Sequence, residues 1–161
     1  MRKDRREIAK SAEQALQSLM RLCARSERSS GDAMRLMQRW MVPEAERQGV
    51  VDKLISQRFI DDRRYAEAYT REKSQLSGWG ARKIALQLRQ KGIAKDIIAE
   101  TLASLDRDDM HTRLCERLER KLRTTKAATE YELRGKLLRY ALSAGYDYDL
   151  AMEAIDTLLR A

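Results

Sequence analysis

Between Lys73 and Lys95 the chain carries Lys73, Arg82, Lys83, Arg89, Lys91 and Lys95 and not one aspartate or glutamate. Charged residues make up 36% of the whole chain and acids are frequent elsewhere, so this uncompensated run is its sharpest charge feature. Ammonium and guanidinium groups without neighbouring carboxylates attract phosphates, because each contact releases counterions condensed on a polyanion. Trp79 lies inside the run between Gly78 and Gly80, where an indole freed by glycines could stack on a base or enter a pocket of a partner. The expected chemistry is binding of a polyanion rather than the making or breaking of bonds. A plainer account fits the same residues: cations that solubilise an exposed helix, with the tryptophan packed into a gap between helices.

The other candidates are weaker. Arg120, Lys121, Arg123 and Lys126 form a second basic run, but Glu116 and Glu119 stand close by. Arg2, Lys3, Arg5 and Arg6 could hold a phosphate backbone, although basic starts are common and usually frayed. Asp61 and Asp62 resemble a metal or acid/base pair, yet neighbours on a helix point apart, and capping of the following helix explains them better. Cys23 and Cys115 have no CxxC spacing and His111 is the single histidine, so no metal site is expected. The cysteines read as small hydrophobes in a reducing compartment. No phosphate-binding lysine loop, nucleophile elbow, HExxH or dinucleotide glycine fingerprint occurs. Neither catalytic residues nor a cofactor are expected. Tyr131, Tyr140, Tyr146 and Tyr148 read as core packing with wet hydroxyls.

These side chains must be carried by helices. Aromatics are 6% of 161 residues, there is one proline, and glycines are few. The formal net charge of +8 again favours a nucleic-acid partner. No stretch is apolar enough to span a bilayer, and the first residues lack the apolar core of a signal peptide, so a cytoplasmic protein without a membrane partner is expected.

The pattern breaks at Ser77-Gly78-Trp79-Gly80 and resumes with Ala81, Ile84, Ala85 and Leu88 on one helical stripe. Gly92 closes that helix, and Ile93, Ile97, Ile98, Leu102 and Leu105 begin the next stripe. Arg82 and Arg89, seven apart, share a face turned away from Ile84 and Leu88. A shift of 53 residues superposes Lys83 on Lys136, Gly92 on Gly145 and Asp96 on Asp149, and pairs Ile84 with Leu137, Leu88 with Ala141, Ile93 with Tyr146 and Leu102 with Ile155. The unit is duplicated.

Each unit has a preceding helix, one capped by Asp62 and carrying Tyr65, Tyr69 and Leu76, the other opened by Asp106 to Asp109 and carrying Met110, Leu114, Leu118 and Leu122. The N-terminal third follows more loosely, with Ser29 to Asp32 as a capping arrangement, Pro43 in the first turn of a third helix, and Val50, Val51, Leu54 and Ile55 on its stripe. The expected fold is all-α, an elongated array of three tandem three-helix repeats at 1–60, 61–105 and 106–161, because units this small must stack to bury enough apolar surface.

The segment Phe59-Ile-Asp-Asp-Arg-Arg-Tyr-Ala66 and the segment Gly80-Ala-Arg-Lys-Ile-Ala-Leu-Gln-Leu-Arg-Gln-Lys-Gly-Ile93 resemble the central part of the RecX family. The residues that carry the resemblance are Asp61, Asp62, Arg64, Tyr65, Ala66, Gly80, Lys83, Ile84, Leu88, Lys91, Gly92 and Ile93. Gln87 stands where the family has a glutamate, and the first unit lacks the usual Ser-x-x-Glu-Leu pattern. The resemblance implies a regulator that binds in the groove of the RecA recombinase filament on single-stranded DNA, bridging subunits, and restrains ATP hydrolysis, filament extension and strand exchange; a monomer is expected. Double-stranded DNA is a further candidate partner. The contacts expected from surface charge are Arg82, Lys83, Arg89, Lys91 and Trp79, with Lys73 and Lys95 beside them.

Two other function classes remain open. A general DNA- or RNA-binding helical protein with helix-turn-helix-like units would show the same paired helices and basic face, with Arg82 and Lys83 near the start of a recognition helix. An adaptor without a nucleic-acid role would tolerate charge reversal at Arg82, Arg89 and Lys91.

Overall fold

The computed structural model describes residues 9–160; the run of Arg2, Lys3, Arg5 and Arg6 lies outside the described residues. Among the described residues the regular structure consists of α-helices without strands: α1 (Ala12–Arg25), α2 (Ser30–Arg39), α3 (Glu44–Ser56), α4 (Asp62–Gln75), α5 (Ala81–Gln90), α6 (Lys95–Ala103), α7 (Arg107–Thr124), α8 (Glu130–Ser143) and α9 (Tyr148–Arg160). The fold is all-α, built from three-helix segments in tandem, as the periodicity predicts. No helix among the described residues is long and apolar enough to cross a membrane.

The helix starts follow from side chains that satisfy the first free amides. Ser29 and Asp32 form a reciprocal capping box on α2, as do Ser11 and Gln14 on α1. Asp106 accepts from the Asp109 amide at 2.9 Å and Thr129 from the Glu132 amide at 3.1 Å. Pro43 differs from expectation by one position: it is the residue before α3, where its missing N–H costs nothing. At the other ends, Gly92 (φ 80°) and Gly145 (φ 94°) adopt the left-handed conformation that turns the second helix of a segment into the third.

The chain divides into two compact units, one formed by residues up to Glu67 with Arg89–Ile97, the other by Ala68–Leu88 with residues from Ile98 onward. Helices α4 and α5 each begin in one unit and end in the other. The first unit is built on Ala15 and Leu19 of α1, Ala33 and Met37 of α2, and Val50, Val51 and Leu54 of α3. The core of the second comes from Leu114 and Leu118 of α7, Leu137 and Ala141 of α8, and Tyr146, Leu150 and Ile155 at and in α9. Truncating any one of these fully buried leucines would cost roughly 2–5 kcal/mol.

The 53-residue register holds in three dimensions, since Ile84, Leu137, Leu88 and Ala141 are all completely buried and Ile93 and Tyr146 nearly so. Two stripe residues depart from expectation. Leu76 lies beyond the end of α4 and is 83% exposed, and Ile55 in the last turn of α3 is 48% exposed. Helix ends turn their final apolar positions away from the core once the chain leaves the packed face. Cys23 and Cys115 pack at the edges of the two cores, as small hydrophobes should.

Candidate functional site

In the second unit, the connection from α4 to α5 and the first turn of α5 are fixed along the backbone. The Trp79 amide donates to the Lys73 carbonyl at 2.9 Å, the Gly80 amide to Ala144 at 2.8 Å, and the Arg82 amide to Gly145 at 2.9 Å. Arg117 on α7 donates through one nitrogen to the carbonyls of Ser77 and Gly78, each at 2.7 Å, and the Tyr146 hydroxyl donates to the Gly78 carbonyl at 2.9 Å. A Cβ on Gly80 would fall 2.4 Å from the backbone of Gly145 and Tyr146. Gly80 is therefore present so that two backbones can touch.

The glycines do not free Trp79. Its half-buried ring has the Lys83 ammonium 4.4 Å and the Lys73 ammonium 4.9 Å from its centroid, and Tyr69 meets it edge-on at 6.4 Å. Each cation–π contact is worth about 0.5–1 kcal/mol at a partly exposed position. The indole thus gathers two positive charges that have no carboxylate partner, which makes the cluster attractive to an anion. Arg82 is exposed and makes no side-chain ion pair or hydrogen bond among the described residues.

In the first unit the cations behave differently. The Lys91 ammonium lies 3.7 Å from Asp32, so an acid distant in sequence compensates it in space. Its backbone carbonyl accepts from the buried Ser29 hydroxyl at 2.9 Å. Arg89 and Lys95 are exposed and, like Arg82, have no such partner among the described residues.

The motif residues around Asp61 have structural roles. Asp61 caps α4, accepting from the Arg64 amide at 3.0 Å. Asp62, expected as a cap, instead accepts from the amide (2.8 Å) and the hydroxyl of Ser30 at the start of α2. Arg64 donates to Glu27 at 2.8 Å and reaches the carbonyls of Arg58 and Phe59. Tyr65, Ala66, Ile84, Leu88 and Ile93 are buried.

Among the described residues no group of His, Cys, Asp and Glu is arranged to hold a metal ion. Burial pushes the thiols of Cys23 and Cys115 up, which disfavours the thiolate. Tyr146 is buried with its hydroxyl donating to the Gly78 carbonyl, and burial raises its pKa against the opposing charge of Arg117. Tyr131 and Tyr148 are exposed, so they are not core residues. Sequence reasoning missed Arg117, Tyr146, Ser29 and Ser30 as clamps, since only the fold brings them to their partners.

Family models for the second and third three-helix domains of RecX match residues 61–102 and 108–155, together more than half of the chain. Regulatory protein RecX of Clostridium botulinum (strain Eklund 17B / Type B) is 33% identical over 107 residues, 65% of this chain and 50% of its own length. That of Clostridium perfringens (strain 13 / Type A) is 33% identical over 101 residues, 62% of this chain and 47% of its own. The chain thus spans about half the length of these curated relatives. The crystal structure of RecX from Lactobacillus salivarius superposes with a TM-score of 0.83 at 20% identity, covering 93% of this chain and 97% of that one. At that identity the superposition bears on the fold. The two domain matches, which take in Asp61 to Ala66 and the Gly80 segment, place the chain in the RecX family.

Proposed function

We propose that this chain is a non-enzymatic regulator of homologous recombination and DNA repair that binds the RecA filament on single-stranded DNA and inhibits its ATPase, extension and strand exchange. The match to two successive RecX three-helix domains is the observation that carries this reading. The charge distribution supports it: Lys73 and Lys83 converge on Trp79, while Arg82, Arg89 and Lys95 are exposed without carboxylate partners. The three-helix segments 1–60, 61–105 and 106–161 are read as its repeats.

The test is RecA ATPase on single-stranded DNA, with this protein titrated from well below to equal stoichiometry at two salt concentrations. Inhibition at far less than one copy per recombinase is expected, because competition for bare DNA needs near-stoichiometric coverage. Tight DNA binding that weakens steeply with salt, without inhibition, would instead assign the chain as a general nucleic-acid-binding protein.

A further inference from the structure

Most basic side chains in the last three helices are matched by carboxylates. Arg107 pairs with Glu153 at 2.9 Å, Arg113 with Asp109, Arg123 with Glu119, and Arg134 with both Glu130 and Asp156. Arg117, Arg120, Lys121 and Arg139 have no carboxylate partner among the described residues, and the last two lie together. Between the end of α7 and the outer face of α8 lies an open trough of about 650 Å³ lined by Lys121, Lys126, Lys136, Arg139 and Tyr140, with no carboxylate in its wall.

The trough's cations are held in different ways. The Lys121 ammonium sits 5.2 Å from the centre of the Tyr140 ring, which Arg117 also approaches at 5.5 Å. Lys136 is tethered to Glu132 at 3.0 Å and to the Lys126 carbonyl. Lys126 and Arg139 are exposed and have no side-chain ion pair or hydrogen bond among the described residues. The hydroxyls of Thr124, Thr125 and Ser143, also in the wall, donate to carbonyls of their own helices. Besides the Tyr140 hydroxyl, which accepts from Arg117 at 3.2 Å, the donors left for a ligand are cationic, and a ligand with repeated negative charge suits them.

We propose that this trough binds the phosphate backbone of a single nucleic-acid strand, as a contact separate from the Trp79 cluster. This rests on the reading of the chain as a partner of a DNA filament. Arg139 supplies a fork that matches a phosphate and Lys126 and Lys121 supply point charges beside it, while Lys136, paired with Glu132, adds little net charge. The site holds a strand by charge and carries no base preference.

The test compares the wild-type chain with Lys126→Glu/Arg139→Glu and with the milder Lys126→Ala/Arg139→Ala, whose folds are checked by helical circular dichroism. Binding of a fluorescein-labelled oligothymidylate is followed by anisotropy across a salt series. The expected result is a loss of affinity of about tenfold or more in the reversal, a smaller loss in the alanine variant, and a salt slope lower by about 1.4, roughly 0.7 for each of two lost contacts. Should the reversal fail to fold, the alanine variant's slope decides. Wild-type affinity and slope in a folded variant would overturn the site while leaving the filament reading intact, provided RecA inhibition persists. Tighter binding of poly-glutamate than of the oligonucleotide at equal charge concentration would also overturn it, by assigning the trough to an acidic protein surface. Absence of oligonucleotide binding by the wild type would overturn it too, and the ATPase titration then shows separately whether the filament reading survives.

Discussion

The Gly80 amide donates to the Ala144 carbonyl at 2.8 Å, joining the start of α5 to the turn before α9. The first unit repeats this relation with a different donor: the Ser29 hydroxyl gives its hydrogen bond to the Lys91 carbonyl at 2.9 Å. Ser29 and Gly80 both immediately precede a second helix, and Lys91 and Ala144 both immediately precede a left-handed glycine. The same joint is made by a side chain in one place and by a main chain in the other. A side chain from the first helix of the following segment steadies each joint, Asp62 through Ser30 and Arg117 through Ser77 and Gly78.

Gly80→Ala should be costly, because its Cβ would fall 2.4 Å from main-chain atoms of Gly145 and Tyr146 that cannot rotate away. A loss of about 2–4 kcal/mol is expected from the shift in the urea midpoint. Gly49→Ala is the contrast, since its Cβ meets nothing within 4 Å inside α3. That substitution should stabilise by about 0.5–1 kcal/mol. Equal effects at the two positions would contradict the close-contact account of Gly80.

Asp62→Asn keeps the size of the side chain but removes the charge that accepts two hydrogen bonds from Ser30. A loss of about 1–3 kcal/mol is expected, and Ser30→Ala made in the same background should add less than it does alone. Asp61→Ala removes only a helix cap and should cost about 1 kcal/mol, independently of Ser30. A thermodynamic double-mutant cycle at both aspartates separates the clamp from the cap.

These positions mark how far the sequence could be read. Caps and left-handed stops depend on residues a few positions apart, so Ser29 with Asp32, Gly92 and Gly145 were legible. Core positions were legible because burial on one helix face imposes its own period. The partnership of Asp62 with Ser30 spans 32 residues, and that of Lys91 with Asp32 spans 59; neither leaves a local pattern. For the same reason an acid-free stretch of sequence is not an acid-free surface. From sequence alone the glycines beside Trp79 suggest a freed ring, whereas Gly80 serves a contact made 64 residues away.

The carboxyls of Asp156 and Glu153 are held below their ordinary values, chiefly by hydrogen bonds from Arg134 and Arg107 respectively. A lowered value in the folded state means that the unfolded chain takes up the proton first. The stabilisation is then complete above the ordinary carboxylate range and is lost as pH falls through the lowered values. The thermal midpoint should therefore drop below about pH 4, and drop less steeply in Arg107→Met/Arg134→Met. Both groups are exposed, so high salt should shrink the difference between the two proteins. An identical acid profile for the variant would show that these pairs contribute nothing.

Arg82→Glu/Arg89→Glu tests the filament reading where the structure leaves cations exposed and without carboxylate partners. Both side chains lie on α5, away from the buried Ile84 and Leu88, so the stability derived from the urea midpoint should stay within about 0.5 kcal/mol of the wild type. Inhibition of RecA ATPase should nevertheless fall at least about tenfold, as the loss of two charged contacts at roughly 1 kcal/mol each would predict. Lys91→Glu makes the opposite control, because it places a carboxylate against Asp32 at the joint with Ser29. It should lower stability as well as activity. If the double reversal folds and inhibits the recombinase normally, the exposed cations of α5 are a solvated face and the contact with the filament lies elsewhere on the chain.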